Sequence, residues 1–240
     1  MSRIRRNIAL STIAAALVSV AGYAVANPAS TGCALISALP LDELPGGVLV
    51  EGTLTSQDHA AIAKILAAAT SRIENTFGSP SAKPVTVFFD HSDAFWPLSF
   101  NEYGSASFVG TRACLFIGPK GRNVDVVAHE LIHAELFERV GAWGRFTEVP
   151  VWFDEGLAMQ VDYRSKYHLA GGAMHATKAV SSLDSARDFF VSDTDRLIWH
   201  YSAAKAEVAQ WLSTVGNDSV YDRLERIRAG ESFSEFMQSE

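Results

Sequence analysis

An α+β fold is expected for this chain, and three observations predict it. Strand-like runs crowd residues 45–118, helical periodicity takes over from residue 122 to the end, and no internal repeat divides the sequence. The 240 residues are 48% hydrophobic and 20% charged, enough apolar material for one full core. Residues 27–240 therefore read as a single domain with a mixed sheet and helices first and a mainly helical half afterwards.

Residues 1–26 are set apart as a signal peptide. Arg3, Arg5 and Arg6 make a basic start, Ile8 to Val20 is an apolar run, and Ala24-Val25-Ala26 offers the small residues of a cleavage site. An uncleaved anchor is the competing reading, because the apolar run approaches the lower length limit for a membrane span. Cleavage predicts a periplasmic or secreted chain with no stable membrane insertion. Ser30-Thr31-Gly32-Cys33 resembles a lipobox, so lipoprotein anchoring at Cys33 is an alternative, although the stretch lacks a leading Leu and lies past the apolar run. Cys33 and Cys114 are the two cysteines of the chain. In an oxidising compartment such a pair forms a disulfide; two buried thiols are the other possibility.

Further along, GVLVEGTLT (47–55) alternates like a strand, and Ser56 opens a helix whose apolar positions Ile62, Ile65, Leu66 and Ile73 recur at helical spacing until Gly78 and Pro80. PVTVFFD (84–90) reads as a buried strand, followed by a loop with Phe95 and Trp96 and by a hairpin over SASFVGTRACLFIG (105–118). Pro119 and Gly121 punctuate, Asn123 suits an N-cap, and Gly141 stops the helix that Asn123 begins. After a loop holding Trp143, Pro150 suits the first position of a helix over PVWFDEGLAMQVDY (150–163), and the chain is helical from about Ser185. Net charge is −7, falling to about −10 without the leader's three arginines, and Lys and Arg cluster nowhere else. Nucleic acid is excluded as a partner on that balance.

The chemistry centres on VVAHELIHAEL (126–136). Residues four apart on a helix differ by about 40° around the axis and about 6 Å along it, so His129 and His133 can converge on one ion. Glu130 lies beside that ion, where a carboxylate can take a proton from an activated water. Apolar neighbours Val126, Val127, Leu131, Ile132, Leu136 and Phe137 predict a buried helix, in which a His/Glu/His trio without a partner would be costly. A catalytic zinc commonly takes three protein ligands and leaves one position open. PVWFDEGLA offers Glu155 as the third ligand, with Asp154 as its rival. Gly156 costs about 1 kcal/mol relative to Ala inside a helix, which suggests close approach of another backbone or of substrate. Trp152 reads as packing.

An H-E-x-x-H helix followed by a W-x-x-E-G-x-A helix resembles the gluzincin metallopeptidases, the second pattern being Trp152, Glu155, Gly156 and Ala158 here. The spacing from His133 to Glu155 is longer than is usual in the aminopeptidase branch and closer to that of the small peptidase-MA-like proteins. HYSAAKAEVAQWL (200–212) is similar to that family's Y-x-x-A helix and AGESFSEFM (229–237) to its G-x-S-F ending, whereas the first 80 residues carry no comparable motif. The resemblance implies Zn2+ held by His129, His133 and Glu155, with Glu130 as general base in peptide hydrolysis. It assigns Tyr201 to the oxyanion, with His200, Tyr163, His168 and His175 as rivals, the other reading being a tyrosine that only packs with its hydroxyl on a backbone group. It also implies a peptide or protein substrate pairing with an edge strand, either Ser105 to Arg112 or Leu115 to Gly118, while Phe95, Trp96 and Trp143 line subsites or belong to the core. The alternative function is a zinc-stabilised, non-catalytic binding or scaffolding protein of the cell envelope.

Overall fold

The computed structural model describes residues 28–91, 102–167 and 180–238. The leader, Phe95, Trp96, His168 and His175 lie outside the described residues. The fold is α+β, as the sequence predicts, with a five-stranded mixed sheet in the N-terminal half and helices filling the C-terminal half.

Helix α1 (Pro28–Leu35) comes first, then β1 (Leu41–Leu44), β2 (Val48–Glu51), the long helix α2 (Ser56–Phe77), β3 (Val85–Phe88), β4 (Gly104–Val109) and β5 (Arg112–Ile117). The spatial order is β1-β2-β3-β5-β4, with β2, β3 and β5 parallel and the outer strands antiparallel to their neighbours. The strand expected over 47–55 shrinks to four residues, because the chain turns after Glu51, where Leu54 donates to the Glu51 carbonyl at 3.0 Å; before it, Gly46 and Gly47 at positive φ turn the chain out of an additional strand, β1. Helix α2 begins where expected, capped by a reciprocal bond pair between Thr55 and Asp58.

The sheet has helices on both faces. Phe88, Ile117 and Val50 point into the main core shared with α2 and the C-terminal helices. Val87, Phe116 and Cys114 point the other way, against Cys33 and Ile36. There α1 is fastened by the Cys33–Cys114 disulfide, with a Cα–Cα separation of 5.7 Å, and by a 3.2 Å bond between the hydroxyls of Ser30 and Ser107. Both sulfurs are buried and committed to each other, so the Cys33 thiol is not available to carry a lipid. Among the described residues no helix is long and apolar enough to cross a membrane. The disulfide closes a separation of 81 residues. The chain-entropy model assigns such a loop about 4–5 kcal/mol. The Cys33→Ser/Cys114→Ser protein is expected to unfold at a correspondingly lower denaturant midpoint, and an unchanged midpoint would contradict this.

The C-terminal half holds α3 (Val124–Thr147), α4 (Val151–Ala158), α5 (Ala186–Phe189), α6 (Thr194–Val215), α7 (Val220–Arg228) and α8 (Phe233–Gln238). Asn123 caps α3 by accepting from the Val126 N–H at 3.0 Å. Gly141 does break the helical path, at φ 72°, but the chain resumes a helical course to Thr147. Trp143, expected in a loop, therefore sits on this bent continuation. Pro150 is the N-cap of α4 and not its first residue, and α4 stops at Ala158, earlier than the pattern suggested. Gly156 answers to backbone approach: a Cβ there would lie 2.5 Å from the carbonyl oxygen of Ala204 on α6. Trp152 packs edge-on against Phe153 and Phe233 in the core.

Candidate metal centre

Helices α3 and α4 bring His129, His133 and Glu155 together in a buried group whose candidate ligand atoms all lie within 4.8 Å of one another. Oε2 of Glu155 is 3.3 Å from Nε2 of His129 and 3.6 Å from Nε2 of His133. Bonds of 2.0–2.1 Å in a tetrahedral set place ligand atoms roughly 3.3 Å apart. The spacing therefore fits one small cation. Oε2 of Glu155 is buried with no hydrogen-bond partner, an unfavourable state for an anion unless a cation is held there.

Each imidazole turns its other nitrogen towards a carboxylate. Nδ1 of His133 lies 2.8 Å from Oδ1 of Asp154, and Nδ1 of His129 lies 3.7 Å from Oδ2 of Asp162. Asp154, the rival ligand in the sequence reading, is thus directed away from the converging atoms and fixes the ring of His133 instead. Arg145 pairs with Asp154, and the Nε of Arg164 sits 2.9 Å from both oxygens of Asp162. Lys205 on α6 adds a bond of 2.6 Å to the Asp162 backbone carbonyl. The two arginines balance the two aspartates, which leaves Glu130 and Glu155 as two buried carboxylates facing the convergence point. A dication balances that charge.

Titration behaviour follows from the crowding. Burial pushes the Glu130 carboxyl above its ordinary value, with His129 and His133 opposing the rise and Glu155 adding to it. Burial pulls His133 down, yet Asp154, Glu155 and Glu130 outweigh it and hold the ring at about 10. Burial also works against ionised Asp154, but Arg145 and His133 prevail and lower it to about 2. The His133 direction reports the carboxylates gathered around that ring, whereas the Glu130 rise is chiefly burial and the Asp154 lowering reports its cationic neighbours.

The group opens on a cleft of about 600 Å³. One side is β4, whose Gly104, Ser105, Ala106 and Phe108 line it; the others include Arg145, Phe146, Val149, Val151, Ala186, Phe190 and Tyr201. Among the described residues β4 is at the edge of the sheet and β5 lies between β3 and β4, so of the two expected segments Leu115 to Gly118 is not an edge and the first is. Gly118 donates to the Tyr103 carbonyl at 2.9 Å, which sets the parity of the ladder: Ser105 and Ser107 bond to β5, while the peptide groups of Ala106 and Phe108 face outward. Gly104 is forced by proximity, since a Cβ there would meet Val126 at 2.8 Å and Oε1 of Glu130 at 2.9 Å.

Tyr201 lines this cleft, its ring 6.2 Å from that of His129 and supported by Tyr167 and Phe189 at 5.3 and 5.1 Å. Burial and the charge of Glu155 raise its phenol well above the ordinary value, so the hydroxyl keeps its proton. The rivals within the described residues are occupied elsewhere. His200 bonds through Nδ1 to the Phe189 carbonyl at 2.6 Å, and Tyr163 lies half-exposed beneath the Arg72 guanidinium. Trp143 is 79% exposed and outside both the core and the cleft lining. Arg145, Asp162 and Arg164 went unread in the sequence; the only signal was an acid seven positions after Glu155, with no spacing rule to give it meaning.

The chain matches no family model and no curated protein. The gluzincin resemblance accordingly rests on the residues of α3, α4 and α6 themselves.

Proposed function

We propose that this chain is a zinc-dependent peptidase of the gluzincin type. The observation that carries the reading is the convergence of His129, His133 and Glu155 beside the Glu130 carboxylate, all opening on a cleft bordered by an edge strand. The three residues suit zinc in donor type and number, three protein ligands being the usual set of a catalytic site, and would hold it. Zinc bound there supplies Lewis acidity, which acidifies water and polarises a carbonyl.

The protein's own groups do the rest. The outward peptide groups of Ala106 and Phe108 hold an extended substrate as an added strand. Glu130 accepts a proton from the attacking water, the water oxygen bonds to the carbonyl carbon, the C–N bond breaks, and Glu130 returns the proton to the leaving amine. The Tyr201 hydroxyl donates to the developing oxyanion. Asp154 holds the His133 ring in orientation, and the Asp162 carboxylate lies near the other ring without bonding to it. The Cys33–Cys114 disulfide and the leader-like first 26 residues support export to the periplasm or beyond, where disulfides persist.

A zinc-stabilised scaffold needs neither a base nor an open position, so a buried Glu130 beside the trio favours the enzyme. Zinc per folded chain and the appearance of new N-termini in an unfolded protein substrate are the test. Stoichiometric zinc with hydrolysis is expected; a correctly folded chain without metal affinity refutes the reading.

A further inference from the structure

Resting on that peptidase reading, we propose that the cleft selects a large apolar side chain next to the bond it cleaves, received by a wall of Phe146, Val149, Val151, Ala186 and Phe190. These residues line the same cleft as Glu130 and Glu155. Two of them are large rings left in water: Phe146 is 66% exposed and Phe190 48%. Scattered exposed apolar residues are ordinary on a surface, but two rings converging on a concave site beside convergent polar groups mark a place where apolar surface is received.

The convergence is built by two separate features. The break at Gly141 redirects the end of α3, which carries Phe146 to the cleft. The single turn α5, capped by the Ser185 hydroxyl, presents Ala186 and ends at Phe189, with Phe190 following as its C-cap. Charge on this wall points the same way. Among the described residues Arg145 is the cation lining the cleft and it is engaged by Asp154, so these residues offer an acidic side chain no open counter-charge. Asp184 is the carboxylate lining this side apart from those around the metal group, and it makes a basic side chain the rival occupant. The occupant is committed by continuity: a peptide strand added along Ala106 and Phe108 runs past this wall, since Phe108 itself lines the cleft and stacks on Phe137 of α3 at 4.6 Å.

The test is a mixed peptide library incubated with the zinc-loaded chain, cleavage sites being read by mass spectrometry. Individual peptides carrying Phe, Leu, Ala or Lys at the selected position follow. Wild type is expected to prefer Phe or Leu over Ala by about tenfold or more in kcat/KM. Phe146→Ser/Phe190→Ser should lose most of that preference, and Ala186→Phe, an enlargement at an exposed position, should shift it towards small residues. Hydrolysis without an apolar preference, a Lys preference removed by Asp184→Asn, or a preference unchanged in both variants overturns the inference and leaves the peptidase reading standing. If wild type cleaves nothing, the peptidase reading fails, and fluorescence anisotropy of the same peptides on Glu130→Gln decides separately. Tighter binding of the Phe peptide, weakened by the serine pair, supports the apolar wall; equal or absent binding overturns it.

Discussion

Glu130→Gln is expected to lower kcat/KM for peptide hydrolysis by about 10²–10⁴-fold with no change in bound zinc, because general-base assistance is worth about that much. The substitution is nearly isosteric, which matters here. The Glu130 side chain lies against β4 so closely that a single added carbon at Gly104 would clash with it, so a larger replacement would disturb the edge strand as well as the chemistry. Gln keeps the volume and the polarity and loses the basicity. It also removes one of the two buried negative charges at the site, so metal affinity is the control that separates base from ligand. Unchanged metal with collapsed turnover is the signature of a base. Full turnover in the variant would remove Glu130 from the reaction, and loss of metal would make it a ligand.

How much was legible beforehand depended on whether the information was local. The pairing of His129 with His133 follows from helical spacing alone, and the Asn123 cap is a three-residue relation, so both could be read without tertiary structure. The α+β class followed from the change of periodicity near residue 122. Glu155 was reachable only through the pattern of a second helix, because it lies 22 positions after His133, across kinked helix and turn. What could not be read is set by contacts between distant segments. The edge position of β4 depends on β5 crossing to pair with β3, and sheet order leaves no mark in a strand's own alternation. Helix α1 has no strong periodic face and is fixed largely by its disulfide. Arg145 reaches Asp154 because the helix resumes past Gly141, a glycine that the sequence read simply as a stop.

The adjacent acids Asp154 and Glu155 are expected to part company on substitution. Glu155→Ala removes an oxygen lying 3.3 and 3.6 Å from the two imidazole nitrogens and leaves a two-histidine site. Zinc affinity should then fall far beyond the change caused by any outer residue. Asp154→Asn keeps an acceptor for Nδ1 of His133 and should weaken zinc by about 10–100-fold, the range for a partner that orients a ligand. Asn keeps the side-chain volume and one acceptor, but it removes the charge that pairs with Arg145 as Ala would, and breaking a buried pair costs about 3–5 kcal/mol by itself, so a fall in stability is expected alongside the change in affinity. Chelator competition measures both variants on one scale, with thermal unfolding as the control for folding. A large loss in Asp154→Asn with Glu155→Ala near wild type would exchange the two roles and place the ligand one residue earlier. Comparable losses in both would mean that the orientation of His133, and not the count of ligands, limits affinity.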